Sequence, residues 1–164
     1  MSAGRPALSA LTVRLAELGL VLPDVSAPKG VYAPAVRSGL HVMVSGQVPL
    51  ANGTLVATGR VGDGVTLAEA YALSRRCALA ALAAADSVAG RAAVVGVVKV
   101  VGYVASADGF IQLPGVVDGA SELFLSVFGE AGRHARSAVG VARLPLDSPV
   151  EIDVLFEVAE RDAD

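Results

Sequence analysis

The chain has no tryptophan, one cysteine, two histidines and few aromatic residues. Each scarcity excludes something. A lone Cys77 cannot build an intrachain disulfide framework or a multi-cysteine zinc site. Aromatics are 4% of residues, and the 13 basic residues are scattered from Arg5 to Arg161 without a long run. With a net charge of -3, that disfavours a surface that tracks phosphates and stacks bases. Long apolar runs are missing too. The longest uninterrupted one, Cys77 to Ala85, falls far short of the ~18 residues a membrane-spanning helix needs. The N-terminus does not read as a signal peptide, because Arg14 and Glu17 interrupt its apolar residues at helical spacing. A soluble, cytoplasmic protein with no membrane partner is expected.

Hydrophobic residues make up 54% of the chain against 18% charged, enough apolar surface to offset the entropy of ordering. At 164 residues the chain has the size of one domain. Mean hydropathy is +0.61, high for a soluble protein, which points to surface hidden in an oligomer.

Apolar periodicity predicts the elements. Leu8, Leu11, Leu15 and Leu18 form a stripe for a docking helix over 6–18, with Pro6 in its first turn and Gly19 as its stop. Residues 31–36 read as a short extended piece and His41 to Ser45 as a buried strand. Asn52-Gly53 between Val48–Leu50 and Thr54–Thr58 marks a hairpin. Thr66-x-x-Glu69 is a capping box that opens a long, small-residue helix ending near Gly90. Val94 to Val104 reads as a central strand whose only charge is Lys99. A loop over 109–116, a helix over 120–128, a strand over 137–144 and a last strand over 150–158 follow. Alternation of Val150, Ile152, Val154 and Phe156 with Glu151, Asp153 and Glu157 makes the last strand half-buried. The order predicts an α+β fold, a mixed sheet with its helices on one face.

Catalytic signatures are scarce. No Walker loop, G-x-G-x-x-G, G-x-S-x-G or H-E-x-x-H occurs. His41 and His134 have no partner at ligand spacing, so no metal site is expected. Cys77, mid-helix among alanines, reads as a buried and unreactive thiol. The segment from Gly129 to Glu151 is richer. It gathers Arg133, Arg136, Arg143 and His134 at the entry to a strand. A guanidinium held where loop becomes strand suits bidentate capture of a carboxylate. Glu151 could then handle a proton or a water. The same two residues could equally form a cross-strand salt bridge.

Several segments carry a resemblance. They are Gly30-Val31-Tyr32 with Pro34-Ala35-Val36, the strand end Val44-Ser45-Gly46-Gln47-Val48-Pro49, and the helix opening at Thr66. The most specific runs from Ala135-Arg136-Ser137-Ala138-Val139 through Val141-Ala142-Arg143-Leu144-Pro145 to Val150-Glu151-Ile152-Asp153. From about Lys29 to Val158 the chain resembles the YjgF/RidA family, the reactive-intermediate deaminases also called L-PSP-type endoribonucleases. The N-terminal helix and the residues around 118–129 resemble a longer branch.

The resemblance implies a chorismate mutase-like fold, a mixed β-sheet backed by two helices. It implies a homotrimer whose sheets build a central barrel with clefts between subunits. Residues 1–164 would be one such domain, with 1–28 as a helix-and-loop extension. By position, Arg136 matches the arginine that binds a substrate carboxylate, and Glu151 the carboxylate that positions or activates water. Tyr32 matches a tyrosine lining the cleft and Ser45 a serine at its floor. Two positions depart from the family. Ala138 stands where many members carry cysteine, and Gly119 where an asparagine lines the cleft. The implied activity is hydrolysis of small 2-imino or enamine acids to 2-keto acids and ammonia, without metal or organic cofactor. The alternatives are a non-catalytic trimer that binds 2-keto acids or similar small carboxylates, and an endoribonuclease, which the charge balance disfavours.

Overall fold

The computed structural model describes residues 10–89 and 93–160. Helix α1 (Ala10–Glu17) buries Leu11 and Leu15. It ends in a Schellman turn. Leu20 N–H donates to the Leu15 carbonyl at 2.8 Å and Gly19 N–H to the Ala16 carbonyl at 3.0 Å, with Gly19 at φ 64°. The expected start at Pro6 and the first stripe residue, Leu8, lie outside the described residues.

Strand β1 (Ala35–Ser38) pairs antiparallel with β2 (His41–Gln47). The extended piece expected from Val31 therefore begins at Ala35, and the chain over 31–34 bends instead. Nor is β2 buried throughout: Val42 and Val44 point into the core while His41 and Met43 are exposed. Strands β3 (Leu50–Ala51) and β4 (Thr54–Leu55) form the expected hairpin. Asn52 and Gly53 take the positive φ its turn requires, 50° and 78°. Strands β5 (Arg60–Val61) and β6 (Gly64–Val65) make a small separate ladder that no sequence signal marked.

Helix α2 (Leu67–Ala89) opens as the capping box predicts. Glu69 N–H donates to Thr66 Oγ1 at 3.2 Å, and Thr66 N–H donates to Glu69 Oε2 at 2.8 Å. Thr66→Ala should cost about 1 kcal/mol, read as a lower denaturant midpoint. The predicted end at Gly90 lies outside the described residues. Ala70, Ala78, Ala81, Ala84 and Ala85 are fully buried, so the helix sits close on the sheet. Cys77 is fully buried beside them, and burial pushes its thiol well above the usual range.

Strand β7 (Val94–Ala105) leads to helix α3 (Leu113–Phe128), then β8 (Ala135–Val141) and β9 (Val150–Val158). Helix α3 begins at Leu113, inside the expected loop; Pro114 in its first turn is the signal that was available. Strand β8 starts earlier and stops sooner than the expected 137–144. Arg14 of α1 reaches across to α3, its Nε donating to the Ser126 carbonyl at 2.9 Å.

The main sheet runs β1-β2-β9-β7-β8, antiparallel except for the β7–β8 pair. Helices α2 and α3 pack on one face of it. Val100, Val104, Ile152, Val154 and Phe156 are buried beneath them, with Phe124 edge-on to Phe156 at 5.5 Å between ring centroids. The fold is thus α+β, as predicted. One neighbour relation differs: β7 lies between β8 and β9, so these last two strands do not pair.

Candidate functional site

A groove of about 830 Å³ opens at one end of the sheet, where four segments converge. The first is the chain before β1, which brings Lys29 and Tyr32. The second is the end of β2, where the register against β9 slips between Val44 and Gln47. This bulge turns Ser45 toward the preceding loop: Ser45 Oγ donates to the Ala33 carbonyl at 2.7 Å and Ser45 N–H to the Pro34 carbonyl at 2.9 Å. The third is the turn after β8, where Leu146 holds a left-handed backbone at φ 60°. A non-glycine residue there stores strain, a feature that clusters at functional sites. The fourth is the pair β7 and β9, which supplies Tyr103, Glu151 and Asp153.

The acidic floor depends on Gly46. Glu151 and Asp153 project from the same face of β9, two residues apart, and converge over the Gly46 backbone. A Cβ on Gly46 would run into Glu151 Oε1 and stand 3.0 Å from Asp153 Oδ1. Tyr103, the cross-strand partner of Glu151, donates its hydroxyl to Asp153 Oδ2 at 3.3 Å. Burial pushes the Glu151 carboxyl above the usual carboxylate range, and the nearby Asp153 charge adds to this. Burial also raises Asp153, partly offset by the Tyr103 hydrogen bond. Neither carboxylate has an ion-pair partner among the described residues. Among those residues no group of three or more His, Cys, Asp or Glu stands ready for a metal ion.

Of the residues singled out in the sequence, Tyr32, Ser45 and Glu151 meet in this groove. Arg136 does not. Its β8 register partner is the buried Val100, so it points to the helix side of the sheet. There Nη1 donates to Asp118 Oδ1 at 2.6 Å and to Ser121 Oγ at 3.1 Å. The cross-strand salt bridge to Glu151 is therefore not formed: β7 intervenes, and the two side chains leave opposite faces. Behind Ser121 stands His134, its Nε2 3.0 Å from the Ser121 hydroxyl and its Nδ1 2.6 Å from the Gly132 carbonyl. A carbonyl only accepts, so Nδ1 carries a proton, and in the neutral ring Nε2 accepts from Ser121. The chain of bonds fixes Arg136 on a strand that is the sheet's edge. Gly119 also faces away from the groove. It lies at the crossing of α3 and α2, where a Cβ would overlap the Tyr71 carbonyl. Ala138 is the register partner of Gly102 and packs on the core. His41 is exposed at the start of β2.

Sequence reasoning missed Asp118, Tyr103 and Asp153 as groups near these sites. The i, i+2 spacing from Glu151 could have marked Asp153. Tyr103 and Asp118 arrive only through strand register and helix placement.

Among the described residues no helix is long and apolar enough to cross a membrane. Residues 12–158 match the family described as "YjgF/chorismate mutase-like, putative endoribonuclease". Protein TCP17 of Trypanosoma cruzi is 41% identical over 150 residues, 90% of this chain and 94% of that protein. A crystal structure from Agrobacterium tumefaciens, described as of unknown function, superposes with a TM-score of 0.83 at 39% identity, covering 92% of this chain and 93% of that one. Another from Shewanella oneidensis, described as a "putative endoribonuclease", gives 0.86 at 34% identity, covering 90% and 98%. With the matched residues running from α1 to the end of β9, and so through the whole sheet and the groove it carries, the chain belongs to the YjgF family.

Proposed function

We propose that this protein hydrolyses small 2-imino acids, and the enamines that tautomerise to them, to 2-keto acids and ammonia. The observation that carries the reading is the meeting of Tyr32, Ser45 and Glu151 around one groove. These residues come from a loop and two different strands, and the family resemblance assigns all three to one cleft. Glu151 takes the proton from an attacking water, and Arg136 holds the substrate carboxylate. The two sit on opposite faces of one chain, so the site is completed between subunits, with Arg136 reaching a neighbour's groove from edge strand β8.

A trimer with its sheets facing inward fits the exposed apolar surface. Val36, Met43 and Val139 are 52%, 46% and 41% exposed on the face opposite the helices. An uncovered apolar sheet face calls for a partner.

The test generates 2-imino acids in situ with an amino-acid oxidase and lets semicarbazide compete for them. Wild-type protein should suppress semicarbazone formation. Arg136→Ala should lose roughly 10²-fold in kcat/KM, the scale set by a misplaced substrate. Unchanged semicarbazone signal with wild type would remove the deaminase reading.

The second reading is binding without turnover, with Arg136 as the same carboxylate clamp. That reading expects saturable 2-keto acid binding, lost in Arg136→Ala, and no hydrolysis. RNA cleavage fits less well, because a floor of two carboxylates repels a polyanion.

A further inference from the structure

We propose that Asp118, Ser121 and His134 are positioning residues for Arg136: they engage Nη1 alone and so present the Nε–Nη2 edge of the guanidinium to a substrate carboxylate. This deepens the deaminase reading and rests on its assignment of that carboxylate to Arg136.

Spacing brings the group together. Asp118 and Ser121 are three residues apart, on one face of α3. His134 and Arg136 are two residues apart where β8 begins, and both reach the Ser121 hydroxyl.

The contacts divide the guanidinium. Nη1 carries two N–H groups and meets two acceptors, Asp118 Oδ1 at 2.6 Å and Ser121 Oγ at 3.1 Å. Nε and Nη2 have no hydrogen-bond partner among the described residues. Their N–H groups point the same way, as a fork that takes a carboxylate through two parallel bonds. Asp118 and a substrate can therefore be held at once, on different nitrogens. The Arg136 side chain is 26% exposed, so it is held and still open to solvent.

His134 decides which way Ser121 points. A hydroxyl is donor and acceptor, and its proton turns to suit its surroundings. His134 Nδ1 donates to the Gly132 carbonyl at 2.6 Å, and Nε2 of the neutral ring takes the Ser121 proton at 3.0 Å. The lone pairs of Ser121 Oγ are then left for Arg136. Fully buried Phe124 packs edge-on to the imidazole, with 6.1 Å between ring centroids. Every member of the group belongs to one chain, so the fork is set within each subunit. An arginine already ordered at one end loses less side-chain freedom when it binds.

The test supplies the imine from D-alanine with D-amino-acid oxidase, and titrates pyruvate and its neutral amide, pyruvamide, against the same protein by NMR. Wild type should prefer pyruvate, which has the carboxylate. Asp118→Ala and Ser121→Ala should each weaken pyruvate binding about tenfold, the scale of ordering one long side chain. Pyruvamide binding should stay where it was, so the preference shrinks by the same factor. The imine KM should rise in parallel while kcat is nearly kept, because the carboxylate is held alike in the ground and transition states. Asp118→Asn keeps an acceptor oxygen and should recover most of the lost affinity. In an Arg136→Ala background, Asp118→Ala should cost nothing more. Tighter pyruvate binding in both Asp118→Ala and Asp118→Asn would overturn the proposal, because Asp118 would then compete with the substrate for Arg136. A loss that persists without Arg136, or that pyruvamide shares, would overturn it too, as the mark of a merely structural role. These results leave the deaminase reading standing. A wild type that hydrolyses no 2-imino acid removes the deaminase reading, and pyruvate binding across the variants still decides this proposal. A wild type that also fails to distinguish pyruvate from pyruvamide overturns both.

Discussion

Replacing Glu151 by glutamine should lower imine turnover about 10³-fold, the middle of the range for removing a general base. Substrate capture should change little, since the amide keeps the size and much of the hydrogen bonding of the carboxylate. The loss should therefore fall on kcat and not on KM. Stability separates this outcome from misfolding. Burial and the Asp153 charge raise the folded-state Glu151 carboxyl above its unfolded value. The native state thus holds this proton more tightly than the unfolded chain. As pH rises through the raised value, ionisation costs folding free energy. The sign runs against the usual paired carboxylate: stability from this group is greatest in acid and declines toward neutrality. Glu151→Gln removes that cost, so the variant should melt no lower than wild type at neutral pH while being nearly inactive. Thermal unfolding and steady-state kinetics on the same preparation check both halves. A variant that hydrolyses imines at the wild-type rate would show that the base lies elsewhere.

The second large effect is on packing. Gly119→Ala should destabilise the protein by about 3 kcal/mol, the upper end of ordinary overpacking. The added Cβ would overlap the Tyr71 carbonyl and stand 3.0 Å from the Tyr71 carbonyl carbon and 3.3 Å from Arg75 N. All three are backbone atoms of α2, so no side chain can swing aside. Relief requires moving α3 away from α2. That would disturb Ser74 Oγ, which accepts from Ala120 N–H at 3.2 Å, and the Tyr71–Glu122 hydrogen bond at 2.6 Å. Denaturant unfolding at one fixed protein concentration measures the change. Ser87, on the last turns of α2, is a control: Ser87→Ala loses a hydroxyl bonded at 2.7 Å to the Ala84 carbonyl of its own helix and should shift the midpoint far less. A Gly119→Ala protein as stable as wild type would show that the two helices can separate at little cost.

Gly119 also shows where reading residues along a chain stops. Its position suggested a cleft wall that lacks an amide; its surroundings show a helix crossing that admits no side chain. Glycine is silent in sequence about which of these it serves, because both need only the absence of a Cβ. Asp118, one residue earlier, turns the other way and holds Arg136. Adjacent residues on a helix differ by about 100° in direction, so their roles separate only once α3 is set against its neighbours.

The sequence by itself determined the local elements. The capping box at Thr66, the Asn-Gly turn at 52–53, the stop at Gly19 and the alternation of β9 each rest on interactions within a few residues. Such interactions are written in spacing, and each reappears in the structure. Only the tertiary structure decided that β7 enters between β8 and β9, and with it that Arg136 and Glu151 share no face. It likewise brought Tyr103 to Asp153 and set both carboxylates over Gly46. These contacts join residues tens of positions apart, through strand order and a register slip at the end of β2. Strand order follows from which apolar faces can be buried together, a property of the whole chain, and so no short run of residues could disclose it.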